Sequence, residues 1–303
     1  MPSIQVRLLN LFTRNVIKPR LYQSPTVSAM RRMVRQLEPA FPEPRGVRVT
    51  AVPFRNCAAE WVVPTGLERS DRIVLYVPGG AFVVRTPRGH RLITSRIAKG
   101  ACARVLLVFY RLAPEFPFPC ALQDVLAAYE RLLSEGVAAD RIIFGGDSAG
   151  GALVYASLLA LRDAGKPLPA GAFTLSALTD QTRQERGSRR TNAELDPLFP
   201  GMGKRGIDTR ALYVGEDSTL LTNPYVSPIF GDYTGLPPLL LQVGSTEVLL
   251  DDSTRLAQKA RAAGVDAEVE VWDEVPHVWH GMPIPESEQA VGHLADFIRR
   301  CSP

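Results

Sequence analysis

Six short runs rich in β-branched and aromatic residues punctuate the chain: Ile73 to Val77, Val105 to Tyr110, Ile142 to Phe144, Phe173 to Leu175, Leu239 to Val243 and Val269 to Trp272. Runs of this kind read as strands. Helix-like stretches lie between them, including Arg91 to Lys99, Leu122 to Glu135, Ala149 to Ala164 and Asp252 to Ala263. A glycine stands near the end of each, at Gly100, Gly136, Gly165 and Gly264. The rhythm predicts an α/β chain whose mostly parallel sheet is covered by helices on both faces. Two regions break it, the first 45 residues and the stretch from Asp180 to Asn223, and both are expected outside the sheet. A compact domain seldom tolerates so long a connection without structure, so the second is expected to be an insertion with short helices of its own, a lid over a pocket. The expected organisation is a cap part in residues 1–45, a first core part in 46–180, a cap insertion in 181–223 and a second core part in 224–303.

Composition excludes several classes. The chain has 303 residues, 46% hydrophobic and 22% charged, which fits a globular protein with a large core and not a disordered or coiled-coil chain. Its net charge of +4 is small and scattered, so the surface reads as nearly neutral and no nucleic-acid partner is expected. Arg183, Arg186, Arg189 and Arg190 could form an anion patch, but a solvated helix face is the plainer reading. Cys57, Cys102, Cys120 and Cys301 form no C-x-x-C pair, so neither a disulfide framework nor a zinc site is expected, and reduced thiols in a cytoplasm are. Met1 to Arg20 lacks an uninterrupted apolar stretch and a small-residue cleavage site, and so does not read as a secretory signal. Ile142 to Leu161 carries only Asp147 as a charge, yet its four glycines fit a strand, a turn and a helix better than a membrane span.

The chemistry begins inside that stretch. Gly146-Asp147-Ser148-Ala149-Gly150 follows the strand Ile142 to Phe144 and opens the apolar segment Ala152 to Leu161. A serine on a sharp turn between strand and helix exposes its hydroxyl above the sheet, and the flanking glycines let the two elements approach closely. The helix directs free N–H groups towards that hydroxyl. About seventy residues earlier, Val77-Pro78-Gly79-Gly80-Ala81-Phe82 follows another strand. Gly79 and Gly80, together with the N–H of Ala149, are the expected donors for the oxygen of a tetrahedral intermediate.

Base and acid are expected after the serine, at the carboxyl ends of later strands. Of four histidines, His90 precedes the serine and His293 lies in the amphipathic final segment, leaving His277 and His280 just after Val269 to Trp272. His277 comes first after the strand and is the expected base; His280 is expected to be a neighbour or a surface residue. Leu239 to Val243 runs into Gly244-Ser245-Thr246-Glu247, which makes Glu247 the expected acid, while Asp251 and Asp252 are expected to cap the following helix. Together these residues predict a serine hydrolase in which His277 takes the Ser148 proton, Glu247 orients the imidazole, and an acyl-enzyme forms and is released by water.

These motifs resemble the hormone-sensitive lipase family of α/β-hydrolases, also called the bacterial family IV esterases. Gly146 to Gly150 resembles its G-D-S-A-G, Tyr110 to Glu115 resembles its Y-R-L-A-P-E, and Pro276-His277-Val278 resembles its histidine loop. The resemblance implies an eight-stranded, mostly parallel sheet with flanking helices and a helical cap, and hydrolysis of short to medium acyl esters without a cofactor or metal. It also implies that Arg111 and Glu115 form an internal ion pair and, since dimers are common in the family, a homodimer. This chain departs from the pattern in reading Pro78-Gly79-Gly80-Ala81 for H-G-G-G and Glu247 for an aspartate. That variant resembles members that hydrolyse monoterpene-type lactones, so lactone or amide hydrolysis is the alternative. A binding protein, as in the similar gibberellin receptors that have lost the histidine, is a further one, but His277 is present here.

Overall fold

The computed structural model describes residues 1–22, 26–182, 187–199 and 207–302. Eight strands form one sheet: β1 (Val47–Pro53), β2 (Ala58–Pro64), β3 (Ile73–Val77), β4 (Arg104–Phe109), β5 (Ile142–Asp147), β6 (Gly171–Leu175), β7 (Leu239–Gly244) and β8 (Ala267–Trp272). Their spatial order is β1-β2-β4-β3-β5-β6-β7-β8, with β2 antiparallel to both neighbours and every other pair parallel. The six strands expected from apolar runs are the six on the parallel side. β1 and β2, expected only from the family resemblance, form no such run because their partly exposed edge positions carry Arg48, Thr50 and Glu60. β3 and β5, by contrast, are buried at every position.

Ten helices accompany the sheet among the described residues: α1 (Ile4–Phe12), α2 (Lys18–Tyr22), α3 (Val27–Leu37), α4 (Pro87–Ala101), α5 (Cys120–Ser134), α6 (Ser148–Asp163), α7 (Ser188–Thr191), α8 (Thr209–Val214), α9 (Leu250–Ala262) and α10 (Pro285–Cys301). Alternation along the strands sorts the core into two layers. Ile73, Leu75 and Val77 face α5, α6 and α9, whereas Val74 and Tyr76 face α4 and α10. Gly136, Gly165 and Gly264 follow helix ends with positive φ, as expected. Gly100 does not: it lies within α4 against Ala295 of α10, and Cys102 takes the left-handed cap instead.

The described residues before β1 contribute no strand. They pack through Val6 on Val275, Trp279 and Ile284, and through Met30 on Val83 and Ala113. Residues 187–199 and 207–222 hold only short helices. Arg183 and Arg186 lie outside the described residues, but Arg189 is not on a solvated face, because it pairs with buried Asp252 at 2.8 Å. The expected Arg111–Glu115 pair is also absent. The segment carrying both lies between α5 and α3, so Arg111 pairs with Asp124 of α5 at 2.8 Å while Glu115 meets Arg31 of α3 at 2.7 Å. No described helix is long and apolar enough to cross a membrane.

The two pairs differ in burial, and this sets their worth. Asp124 is 3% exposed and accepts the Arg111 backbone N–H as well as its guanidinium. Asp124→Ala leaves that cation without its partner and is expected to lower stability by roughly 3 kcal/mol. Glu115→Ala, at a half-exposed carboxylate, should change the urea-unfolding midpoint far less.

Candidate active site

The carboxyl end of β5 turns abruptly into α6 at Ser148, whose φ of +51° places a non-glycine residue in the left-handed region, a conformation costing about 1–3 kcal/mol. The turn closes only because Gly150 is bare: a methyl there would run into the Val77 carbonyl oxygen. Ser148 is 8% exposed and lines a cavity of about 630 Å³ shared with Gly79, Gly80, Ala81 and His277. As the first residue of α6 it leaves the Ala149 N–H among the unbonded amides of the helix start.

Glu247 and His277 are brought together directly. Glu247 follows β7, is fully buried, and its Oε2 lies 2.6 Å from His277 Nδ1 beyond the end of β8. Its other oxygen, Oε1, accepts the Gly244 N–H and the Ser176 hydroxyl, each at 2.7 Å. Asp251 and Asp252 face elsewhere, and neither caps its own helix: Asp251 accepts from the Ser188 N–H, and Asp252 from the Thr179 and Asp180 N–H groups. No hydrogen bond joins Ser148 to His277 among the described residues, although both face one cavity; nucleophile–base contacts commonly tighten only when substrate binds.

The glycine loop differs from expectation at one residue. The Gly79 N–H donates to Asp147 Oδ1 at 3.0 Å and is therefore engaged. The N–H groups of Gly80 and Ala81 have no acceptor among the described residues, and both residues have positive φ, +127° and +52°. The open donors beside Ser148 are thus Gly80, Ala81 and Ala149, with Gly79 serving as the anchor of the loop. An imidazole polarised by a buried carboxylate, a hydroxyl at a helix start and three open amides make an arrangement suited to attack on an acyl carbonyl.

Residues 74–281 match the alpha/beta hydrolase fold family. The chain is 42% identical over 246 residues to an acetyl-hydrolase of Streptomyces hygroscopicus, covering 80% of each chain. It is 32% identical over 317 aligned positions to the carboxylesterase/phospholipase LipF of Mycobacterium tuberculosis, covering 98% of this chain and 82% of that one. The crystal structure of an esterase from the bacterial hormone-sensitive lipase family superposes with a TM-score of 0.91 at 39% identity, covering 100% of both chains. The chain belongs to the alpha/beta hydrolase fold family, in its hormone-sensitive lipase branch.

In this hydrolase several supporting residues escape sequence reasoning. Ser176 fixes Glu247 from the end of β6, where its place at a strand terminus is the only signal. Asp147 accepts from the Tyr76 hydroxyl as well as from Gly79 and lies 3.3 Å from His90 Nε2, so His90 is a buried partner of the serine turn. Asp196 accepts from the N–H groups of Leu198, Phe199 and Val248. It thereby holds the segment whose Phe199 ring meets His277 edge-on at 4.7 Å. His280 is buried, not at the surface, with Nε2 on Gln242.

The two neighbouring histidines have opposite electrostatics. Burial alone would lower the pKa of His277, but the charge and hydrogen bond of Glu247 outweigh it and raise the value above 6.5. Burial dominates at His280 and pushes it down to about 3. In imidazole NMR titrations the His277 ring should therefore protonate at a pH above 6.5, as should His90 beside Asp147, and the His280 ring should stay neutral to about pH 3. Glu247→Gln should move only the first of these, and downward.

Proposed function

We propose that this carboxylic ester hydrolase works through an acyl-enzyme on Ser148, with His277 as general base and Glu247 as the group that orients it. The observation that carries this reading is the 2.6 Å contact between Glu247 and His277 on the wall of the cavity that holds Ser148. His277 Nε2 takes the hydroxyl proton as Ser148 Oγ attacks the ester carbonyl. The imidazolium formed is stabilised by a carboxylate already desolvated and held by Gly244 and Ser176. The oxyanion is received by the N–H groups of Gly80, Ala81 and Ala149, which require no reorganisation as charge develops. His277 returns the proton to the leaving alcohol, and water repeats the sequence in reverse to release the acid.

The cavity favours an uncharged ester. Most of its lining is apolar, including Met30, Phe41, Ile93, Leu178 and Phe199. Its charged members are compensated: Arg189 by Asp252 and Arg210 by Asp208. Residues 1–45 and 181–223 serve in this reading as the cap over a core of residues 46–180 and 224–303, and short to medium acyl chains are the substrates. Four unpaired cysteines fit a reducing cytoplasm.

With p-nitrophenyl butyrate, Ser148→Ala should lower kcat by at least about ten-thousand-fold without changing the melting temperature; retained turnover would assign another nucleophile. Glu247→Gln should cost roughly a thousand-fold or more, and Asp251→Asn far less. Because His277 must be neutral to accept the proton and its pKa is raised, kcat/KM should climb through a limb above pH 6.5. Glu247→Gln removes the largest raising influence and leaves burial opposed only by the weaker pull of Asp196 and Asp147, so the residual activity should show that limb at lower pH.

A further inference from the structure

The small net charge conceals an asymmetry. Residues 1–37 contain seven basic side chains and no acidic one, so residues 38–303 are net negative. Within the basic segment α1 carries two apolar faces. Val6 and Leu9 form the covered one, against Val275, Trp279 and Ile284. Ile4, Leu8, Leu11 and Phe12 form the other, at positions i, i+4, i+7 and i+8 that share a stripe, and they are 73%, 61%, 60% and 53% exposed. Leu195 extends this stripe, being 51% exposed and receiving a hydrogen bond on its carbonyl from Arg14. Arg7 and Arg14, two turns apart, lie together along one margin. Neither forms an ion pair among the described residues.

Uncovered apolar side chains bordered by cations with no carboxylate among them are the signature of a helix lying in a membrane interface. A nucleic acid would use the arginines and leave the stripe in water. A second copy meeting this face through a two-fold axis would add its own Arg7 and Arg14 to a face whose segment, residues 1–37, brings no acidic side chain to offset them. No described helix can span a bilayer, so the contact is peripheral. We propose that α1 docks the protein on an anionic lipid surface, with Ile4, Leu8, Leu11 and Phe12 entering the headgroup boundary and Arg7 and Arg14 among the phosphates. The chain after α1 runs on to Ile17, Leu21 and Tyr22 in the wall of the Ser148 cavity. Docking therefore brings that wall to the lipid. The docking itself is independent of the hydrolytic role assigned to Ser148.

The test is co-sedimentation of the full chain with vesicles of phosphatidylcholine alone or mixed with phosphatidylglycerol. Binding is expected to the mixed vesicles only and to weaken as salt is raised. Leu8→Ser with Leu11→Ser should weaken it roughly ten-fold or more, and Arg7→Glu by more than about five-fold. Melting temperature and turnover of soluble p-nitrophenyl butyrate should stay unchanged in both variants, since every altered side chain faces solvent. Absence of binding, equal binding to both vesicle types, or binding indifferent to the double serine variant would overturn the proposal. So would a dimer in sedimentation velocity that the double serine variant dissociates while vesicles capture nothing, which would make the face a contact between copies.

Discussion

The site depends on the Asp147 carboxylate, which is buried between two loops that pack closely on each other. One loop is the β5–α6 turn that carries Ser148; the other is the glycine loop after β3. Asp147 belongs to the first and holds the second by accepting the Gly79 N–H, while Tyr76 and His90 supply its remaining partners. Burial alone would raise the carboxyl pKa; the His90 charge and the convergent hydrogen bonds lower it below the ordinary value. A buried carboxylate kept ionised in this way is costly to leave half-satisfied, so all of its partners are held in place together. Gly79 is sterically obligatory here, because a side chain would overlap that carboxylate. Pro78 offers the loop no side-chain hydrogen bond, and its anchoring comes from beneath.

The His277 imidazole is positioned by the same means at the other side of the cavity. Glu247 divides its oxygens, one for Gly244 and Ser176 and one for His277, so the carboxylate cannot rotate away without losing bonds on both. Ser176 also accepts the Val278 N–H at 3.3 Å, which links Glu247 to the backbone next to His277. Three residues further on, His280 has no carboxylate beside it and remains neutral. The contrast shows that proximity in sequence says little about an imidazole's role; a charge within hydrogen-bonding distance decides it.

The sheet interior and the locations of Ser148, Glu247 and His277 were legible because each is tied to a strand end, and buried parallel strands announce themselves as apolar runs. What could not be read were choices of partner across space. Arg111 and Glu115 look paired along the chain, yet one turns to α5 and the other to α3. Asp251 and Asp252 occupy the first turn of α9, where capping is the local expectation, but tertiary contacts with Thr179, Asp180 and Ser188 claim both. Gly79 and Gly80 are indistinguishable as letters. Only the position of Asp147 separates the amide that anchors the loop from the amides left open, and it brings Ala81 into the open set.

The two irregular outer segments are tied to opposite sides of this machinery. Arg31 of α3 donates to the carbonyls of Val83 and Ala113, next to the glycine loop. Asp196, in the insertion, fastens Phe199 over His277 and bonds to the N–H of Val248, the neighbour of Glu247. Between those tethers the cavity wall is built from apolar side chains that make few directional bonds, and such packing tolerates change in size and shape provided volume is filled. Glu247 and His277 are fixed by buried hydrogen bonds at the sheet ends, and Ser148 by its tight turn. It follows that the wall can change shape without disturbing Ser148, Glu247 and His277, whose positions are set at the ends of the strands.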